Sequence, residues 1–319
     1  DIGYPVLLKA VHGGGGKGIQ VVEDPSTIHE LFHQISLEAR SAFGSGDVYL
    51  EKFVTSLRHI EVQILRDSHG NNKVLGLRDC SVQRNNQKII EESASTMLSK
   101  EFEQRVYDYA EKLSNAVDYY GAGTVEFIYD LDANDIYFME MNTRLQIEHP
   151  VTELVTGIDI VSEQFNIAGG ASIEKLKIKN KGYAMEVRIN AEKATQQGSD
   201  INFVPNAGKI KRCELPDDKN IQLLSSIATG KEVTPFYDSM VVQIICYGKN
   251  RNDTIAKLLD YLDKVIIEGV STNIPLLKRI LRDEVFINGD YDTNYLPKFL
   301  QCTNQESLIK DILVSAGQS

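Results

Sequence analysis

The stretch that decides the fold is residues 6–22, VLLKAVHGGGGKGIQVV. Two short apolar runs, Val6–Ala10 and Ile19–Val22, flank a glycine cluster, which is the pattern of a β-hairpin with a glycine-rich tip. Successive glycines let backbone N–H groups approach an anion closely because no Cβ stands in the way, and Lys9 lies beside them. Neither Ser nor Thr follows Lys17 and no helix begins there, so the loop fits neither a P-loop nor a Rossmann turn. The pattern predicts a nucleotide lid built from a β-hairpin, against the plainer alternative of a flexible hairpin.

Length and composition indicate a globular enzyme-sized chain. The 319 residues suffice for two domains, or for one large domain with a satellite, and 42% of them are hydrophobic. The net charge of −11 argues against a general nucleic-acid-binding role. No apolar run approaches the roughly 18 residues of a membrane span, so no membrane partner is expected.

The spacing of the cysteines indicates the redox compartment of the protein. The first residues indicate whether more of the chain is expected upstream. The four cysteines lie far apart without a C-x-x-C motif, which favours reduced thiols in a cytosol-like compartment, or in the mitochondrial matrix if the source is eukaryotic. The chain begins with Asp1-Ile2-Gly3 and runs straight into a strand. This is an unusual beginning for a native protein, and we expect further residues upstream.

Hydrophobic periodicity predicts a mixed α+β chain. The predicted strands are 6–10, 19–22, 48–54, 59–65, 73–78, 124–129, 136–141, 183–191, 209–214 and 239–246. The predicted helices are 28–43, 99–120, 152–168, 252–264 and 275–282. Beyond residue 303 the segment is polar, which indicates a tail or linker.

Paired carboxylates lie on two strands that a short turn should bring together. Glu126 and Glu140 can then face one side of the hairpin, with the Asn142 amide close by. Two carboxylates and an amide are hard oxygen ligands that suit Mg²⁺. The structural alternative is a buried salt bridge with Arg144 or Lys88.

The segment after the second strand is NTRLQIEHP, residues 142–150. If it is extended, alternation places Arg144, Gln146 and Glu148 on one face. An Arg fork, an amide and a carboxylate beside a metal can bind a small oxyanion and remove its proton. His149 precedes a proline, and we assign it a structural role.

Eight strings in this chain together resemble one enzyme family. They are GGGGKG, EKF, RHIEVQ, RDCSVQR, QKIIEE, GTVEF, EMNTRLQIEHPVTE and EVRINAE, in this order along the chain. In this combination they are similar to the biotin carboxylase subunit or domain of biotin-dependent carboxylases. The resemblance covers about residues 1–300 and implies an ATP-grasp fold, with a glycine-loop lid and an antiparallel-sheet body followed by the biotin carboxylase C-terminal region.

The resemblance implies roles for individual residues. The ATP-binding residues it implies are Lys9, Gly13, Gly14, Gly15, Gly16, Lys17, Gly18, Glu51, Lys52, Val54, His59, Gln83 and Asn86. The implied ligands of Mg²⁺ (or Mn²⁺) are Glu126, Glu140 and Asn142. The implied bicarbonate site comprises Lys88, Arg144, Gln146 and Glu148, with Glu148 as general base. Arg188 and Arg144 would stabilise the enolate of the biotin ureido group.

The implied reaction is ATP- and bicarbonate-dependent carboxylation of biotin through carboxyphosphate. Biotin would arrive on a carrier domain, and a carboxyltransferase domain or subunit would use the product. A homo-oligomer is also implied. The resemblance implies four regions: a lid (1–53), a catalytic body (54–181), a C-terminal region (182–300) and a polar tail or linker (301–319).

Some positions depart from the family pattern. Many relatives carry His where Asn86 stands, Asn206-Ala207 replaces a common Ser-Pro, and Gln243 replaces a common lysine. The family also usually begins about a hundred residues earlier, with a further α/β domain.

Other readings stay open on the sequence. One is another bicarbonate-phosphorylating ATP-grasp ligase, such as half of a carbamoyl-phosphate synthetase large chain. Another is a non-catalytic nucleotide-binding module. His29 and His33, four apart on a helix, are better explained as surface residues than as metal ligands, and Cys80 as a packed thiol than as a nucleophile.

Overall fold

A computed structural model describes residues 2–13, 18–198 and 200–317. The chain divides into two compact units, Asp1–Thr55 and Ser56–Ser319. The first unit ends two residues beyond the predicted end of the lid at residue 53. In the described part of the chain, no helix is both long enough and apolar enough to cross a membrane.

The first unit is a small antiparallel sheet covered by one helix. Its elements are β1 (Val6–Ala10), β2 (Ile19–Val22), α1 (Ile28–Phe43) and β3 (Val48–Lys52), with a 3-10 turn at Pro25–Thr27. The sheet order is β2-β1-β3, so the predicted hairpin around the glycine cluster forms. Gly18 closes it with a φ of +71°, and a Cβ there would lie 2.8 Å from the Ala10 Cβ. Only glycine fits this close approach.

The second unit is built on an eight-stranded antiparallel sheet in the order β14-β16-β9-β6-β5-β4-β7-β8. Its strands are β4 (Leu57–Arg66), β5 (Asn72–Arg84), β6 (Gln87–Glu92), β7 (Gly121–Asp130), β8 (Asp135–Asn142), β9 (Tyr183–Asn190), β14 (Ile221–Ser225) and β16 (Met240–Gly248). Smaller strand pairs join β10 (Glu192–Gln197) to β11 (Asp200–Pro205), β12 (Gly208–Lys209) to β15 (Glu232–Val233), and β13 (Arg212–Glu214) to β17 (Ile266–Glu268).

The second unit also contains helices, several of which pack against strands of the large sheet. They are α2 (Lys100–Ala116), α3 (His149–Thr156), α4 (Ile160–Ala168), α5 (Arg251–Leu262), α6 (Ile274–Ile280), α7 (Glu284–Asn288), α8 (Tyr295–Cys302) and α9 (Gln305–Ser315). The single helix predicted over 152–168 is instead two helices. Gly157 ends α3 with a φ of +71° and donates its N–H to the Glu153 carbonyl, which breaks the helix there.

The largest apolar core runs across the predicted boundary at residue 182. It joins Val82 and Ile90 of the sheet to Val187, Leu277 and other residues of the C-terminal region. β6 pairs directly with β9 in the same sheet. Residues 56–319 therefore form one compact unit, and the α+β prediction is confirmed.

The segment predicted as a polar tail or linker is structured instead. Residues 305–315 form α9, with Asn304 as N-cap accepting a hydrogen bond from the Ser307 N–H. Leu308 and Ile312, one turn apart on this helix, are 0% and 1% exposed in the main core. The expectation failed because two apolar residues at helical spacing are enough to dock a short polar segment.

Shortening these two side chains should therefore destabilise the protein. We expect Leu308→Ala to lower the free energy of unfolding by about 2–5 kcal/mol, the usual cost of a buried Leu→Ala change. Urea denaturation of the full-length protein measures it. Val314→Ala, at a side chain that is 61% exposed on the same helix, is the matched control and should cost at most about 0.5 kcal/mol. Equal, small effects of both changes would mean that α9 does not belong to the core.

Candidate active site

The centre of the site is one face of β4. His59, Glu61 and Gln63 alternate with apolar residues, so their side chains share a face of the strand. The register places Glu61 opposite Arg78 of β5 and opposite Glu126 of β7. Three adjacent strands thus direct charged side chains to one side of the sheet.

The predicted metal ligands meet on the β7–β8 hairpin. Glu126 pairs in register with Glu140, and Thr124 pairs with Asn142. The Asn142 amide donates to Glu126 Oε1 at 2.8 Å and to Glu140 Oε1 at 3.2 Å. Glu126 is buried and Glu140 is exposed, so the cluster opens to solvent on one side. The donor set of two carboxylates and an amide oxygen fits Mg²⁺ or Mn²⁺.

His59 is held in one tautomer beside this cluster. The Gln83 side-chain amide donates to His59 Nδ1 at 2.7 Å and to the Cys80 carbonyl at 2.7 Å. His59 Nε2 therefore carries the hydrogen that is shared with Glu126 Oε2 at 2.9 Å. Burial alone would raise the pKa of Glu126, but the hydrogen bond from His59 and the positive charge of the nearby Lys88 hold it at about 2. Glu126 is thus an anion at neutral pH, as a metal ligand must be.

Glu148 lies between two cations. Its Oε1 is 2.5 Å from Lys88 Nζ, and its Oε2 is 3.1 Å from Arg188 Nη2. Lys88 also contacts Glu61. Burial alone would lower the pKa of Lys88, yet Glu61 and the neighbouring carboxylates hold it well above its ordinary value. The structure therefore brings together Lys88, Glu148 and Arg188 as charged groups.

Gln146 joins this carboxylate cluster to the metal ligands. Its amide nitrogen donates to Glu126 Oε1 at 2.6 Å, and its Oε1 accepts from Arg78 Nη2 at 2.9 Å. Both of its polar ends are thus fixed, and only 4% of the residue is exposed. Gln146 is a bridge between the two halves of the site.

Arg144 does not share a face with Gln146 and Glu148, so that part of the prediction was wrong. Arg144 is exposed, and its Nη1 donates to the neighbouring Leu145 carbonyl at 3.3 Å. The alternation argument failed because residues 143–148 are not an extended strand. Glu148 has φ −81° and ψ 5° and is already the N-cap of α3.

The predicted nucleotide contact Asn86 is more exposed than Gln83 and His59 of the same unit. Asn85 and Asn86 form the two-residue turn between β5 and β6, with φ values of +52° and +61°. Asn tolerates this left-handed conformation better than most residues. The Asn86 side chain is exposed, whereas Gln83 and His59 are half-buried.

The predicted phosphate and adenine contacts of the first unit share its small sheet. Lys9 Nζ donates to Glu51 Oε1 at 3.1 Å, across the β1–β3 pair. Val54 is buried, and Lys52 ends β3. Gly13 donates its N–H to the Ala10 carbonyl at 3.0 Å. Gly14, Gly15, Gly16 and Lys17 lie outside the described residues.

Sequence reasoning missed two buried residues at the middle of the site. Glu61 and Arg78 are both 0% exposed, and Arg78 Nε donates to Glu61 Oε2 at 3.0 Å. Arg78 Nη1 also donates to Gln63 and Thr152. The sequence did contain a signal for this buried pair, because Glu61 occupies a polar position in a strand that alternates strictly between polar and apolar residues. A carboxylate there needs a buried partner.

The arrangement can hold an anion and take its proton. Lys88 and Arg188 provide fixed positive charge, Glu148 provides a carboxylate base between them, and the hairpin carboxylates provide a place for a divalent cation. No group of the predicted set offers a nucleophile. Cys80 is fully buried, and burial raises the pKa of its thiol well above the ordinary value.

Comparison with known proteins agrees with this arrangement. The family described as carbamoyl-phosphate synthase L chain, ATP binding domain, matches residues 1–176. The family described as biotin carboxylase C-terminal domain matches residues 186–298. Biotin carboxylase 1 of Bacillus subtilis (strain 168) is 44% identical over 304 residues, which cover 94% of this chain and 66% of that protein.

The solved structures that this chain resembles are also biotin carboxylases. A biotin carboxylase-β-γ-ATP complex from Campylobacter jejuni has a TM-score of 0.88 and 41% identity, over 93% of this chain and 65% of that one. The biotin carboxylase domain dimer of Hydrogenobacter thermophilus 2-oxoglutarate carboxylase, in complex with MgADP, ADP and bicarbonate, has a TM-score of 0.86 and 40% identity, with coverages of 93% and 65%. The chain thus spans about two thirds of the length of these relatives.

If the carboxylates of the β7–β8 hairpin bind the metal, removing the charge of one of them should weaken metal binding. We expect Glu140→Gln to weaken Mn²⁺ binding at least about tenfold, because even an outer-shell partner typically contributes that much. Electron paramagnetic resonance of free Mn²⁺ during titration of the full-length protein measures this. Asp132→Asn, exposed at the turn of the same hairpin, is the matched control and should bind as the wild type does. Unchanged affinity in the Glu140 variant would place the metal elsewhere.

Proposed function

The chain belongs to the biotin carboxylase family of ATP-grasp proteins, and from this premise we propose that it carries the ATP- and bicarbonate-dependent carboxylation of carrier-linked biotin. Membership confirms the predicted ATP-grasp fold. The observation that carries the proposal is the Glu148 carboxylate held between Lys88 and Arg188, next to the hairpin carboxylates. The C-terminal match and the identity to biotin carboxylases favour this reaction over that of a carbamoyl-phosphate synthetase half.

Glu148 is the proposed base for bicarbonate. With Lys88 and Arg188 on its two oxygens, an arriving anion finds positive charge on either side of the carboxylate. Glu148 takes the proton of bicarbonate, and the resulting carbonate attacks the γ-phosphorus of ATP to give carboxyphosphate and ADP. Phosphoryl transfer of this kind depends mostly on positioning and charge neutralisation, which these residues supply.

The phosphates of ATP are assigned to Lys9 and the glycine loop at residues 13–18, and the adenine to Glu51, Lys52 and Val54. His59, Gln83 and Asn86 are assigned to the nucleotide pocket of the body. Glu126, Glu140 and Asn142 are assigned to Mg²⁺ or Mn²⁺, which when bound would neutralise phosphate charge. These assignments rest on the resemblance together with the side-chain clusters described above.

Carboxyphosphate breaks down to CO₂ and phosphate next to biotin; the phosphate takes the proton of the biotin ureido nitrogen, and this nitrogen then attacks CO₂ to form carboxybiotin. Arg188, together with the exposed Arg144, is assigned to the enolate oxygen that develops when the proton leaves. Fixed guanidinium groups stabilise such an oxyanion without reorganising. Among the described residues, Arg144 contacts the neighbouring Leu145 carbonyl, and its side chain is exposed, so it is accessible to a substrate.

The proposed partners are a biotin carrier domain, a carboxyltransferase domain or subunit, and a second copy of the chain. The Hydrogenobacter relative is described as a dimer, which supports a homo-oligomer here. Light scattering of the full-length protein would decide between a monomer and an oligomer.

Substitution of the base tests the function. We expect Glu148→Gln to lower bicarbonate-dependent ADP release by about 10²–10⁴-fold, the usual contribution of a general base. Free biotin should raise the wild-type rate of the full-length protein. Glu174→Gln, at an exposed position of the same unit, is the control and should keep the wild-type rate.

Two results would contradict the proposal. ADP release that ignores biotin in the wild type would favour another ATP-grasp ligase. Full activity of the Glu148 variant would remove Glu148 from the role of base, whatever the substrate is.

A further inference from the structure

A second carboxyl pair lies behind Arg188, and the proposed reaction does not use it directly. Glu91 of β6 and Glu186 of β9 are cross-strand partners in the register, and both are 0% exposed. Side chains at such positions start from Cβ atoms only about 5 Å apart. Two buried carboxyl groups therefore face each other in the middle of the sheet.

Each group has one bonded oxygen and one without a partner. Glu91 Oε1 accepts from Arg188 Nε at 2.6 Å, and Glu186 Oε1 accepts from Gln243 Nε2 at 2.6 Å. Among the described residues, Glu91 Oε2 and Glu186 Oε2 are buried without a hydrogen-bond partner. A buried carboxylate oxygen without a donor is costly, and one proton between the two groups would satisfy both oxygens.

The charges around the pair are too few to keep both groups ionised. The titratable and charged groups that interact with it are Arg188 from β9, Lys88 from β6, Cys80 from β5 and Glu148 at the start of α3. Arg188 and Lys88 already contact Glu148, and Cys80 is a neutral thiol. His149 Nε2 and Glu153 Oε1 of α3 lie 3.9 Å from each other. From β16, the residue that contacts the pair is the neutral Gln243.

The contacts also decide where the proton resides. Glu91 contacts a guanidinium, which favours its anion, whereas Glu186 contacts only an amide. Burial and the neighbouring Glu91 raise the pKa of Glu186 well above its ordinary value. Burial also raises the pKa of Glu91, to about 7, but the charge of Arg188 opposes this rise, so Glu91 loses its proton before Glu186 does.

We propose that Glu91 and Glu186 share one proton, held on Glu186, so that Glu91 alone is the anion that positions Arg188 beside Glu148. Glu91 is then a positioning residue, and Glu186 is its neutral partner. If both groups were ionised, the pair would draw the guanidinium away from Glu148 and from a substrate oxyanion. The consequence for catalysis rests on the proposed function, whereas the shared proton does not.

Infrared spectroscopy of the full-length protein tests the proton directly. At pH 6 the difference spectrum between the wild type and Glu186→Gln should contain a protonated-carboxyl C=O stretch. Gln243→Lys, which places a cation on Glu186, should abolish the same band. Gln243→Met, of similar length and neutral, should keep it. Absence of the band from the wild-type difference spectrum would overturn the proposal.

Stability against pH is a second readout of the same proton. The folded state holds a proton that an unfolded Glu releases near its ordinary pKa of 4.5. The stabilisation is complete below pH 4.5 and is lost as the pH rises through the raised pKa of Glu186. The wild type should therefore lose stability relative to Glu186→Gln over this window in urea titrations. Parallel curves for the two proteins would count against a shared proton.

Activity tests the positioning role. We expect Glu91→Gln to lower biotin-dependent ADP release by about tenfold or more, because the buried Arg188 guanidinium loses the anion that holds its Nε and is left to Glu148 alone. Glu186→Gln mimics the protonated form and should stay within about threefold of the wild type. The wild-type rate should fall as the pH rises and the proton leaves, and this alkaline fall should be absent in Glu186→Gln.

The outcomes separate the two proposals. Equal losses in the folded Glu91 and Glu186 variants, or an alkaline fall that persists in Glu186→Gln, would overturn the positioning role. If the wild type shows no biotin dependence, the proposed function fails, and the infrared band still decides whether the pair shares a proton.

Discussion

The buried ion pair between Glu61 and Arg78 is the interaction on which the site depends. Both side chains are fully buried in the middle of the large sheet, where an isolated charge would be very costly. Although burial alone would raise the pKa of Glu61, Lys88 and Arg78 hold it below its ordinary value. Arg78 then reaches Gln146, and Lys88 reaches Glu148. Arg78 and Lys88, which neutralise the buried Glu61 carboxylate, thus also hold Gln146 and the proposed base Glu148 in place.

The same principle organises the rest of the sheet. Glu126 is held by His59 and Gln146, Glu148 by Lys88 and Arg188, and Glu91 by Arg188. In each case a buried carboxylate is oriented by a partner from a distant part of the sequence. Apolar clusters that include residues of the same strands support these orientations.

Part of the site could be predicted because it depends on local pairing. A short turn between two strands places Glu126 beside Glu140, and this follows from the hairpin alone. The face shared by His59 and Glu61 follows from alternation in one strand. Arg144 could not be predicted in the same way, because the chain leaves the extended conformation before α3 begins. A polar segment that docks as α9 also escaped prediction, since its burial depends on a core assembled from distant residues.

The fold class, the lid hairpin and the family follow from patterns along the chain, because eight ordered motifs and the periodicity of strands can be read without the fold. Which charges meet depends on the folded structure. Glu91 and Glu186 lie 95 positions apart in the sequence, yet they are neighbours because β6 pairs with β9. Arg78 of β5 meets Gln146 because the segment that leads into α3 packs against β5. Long-range strand pairing is set by the packing of the whole core, which no local pattern encodes.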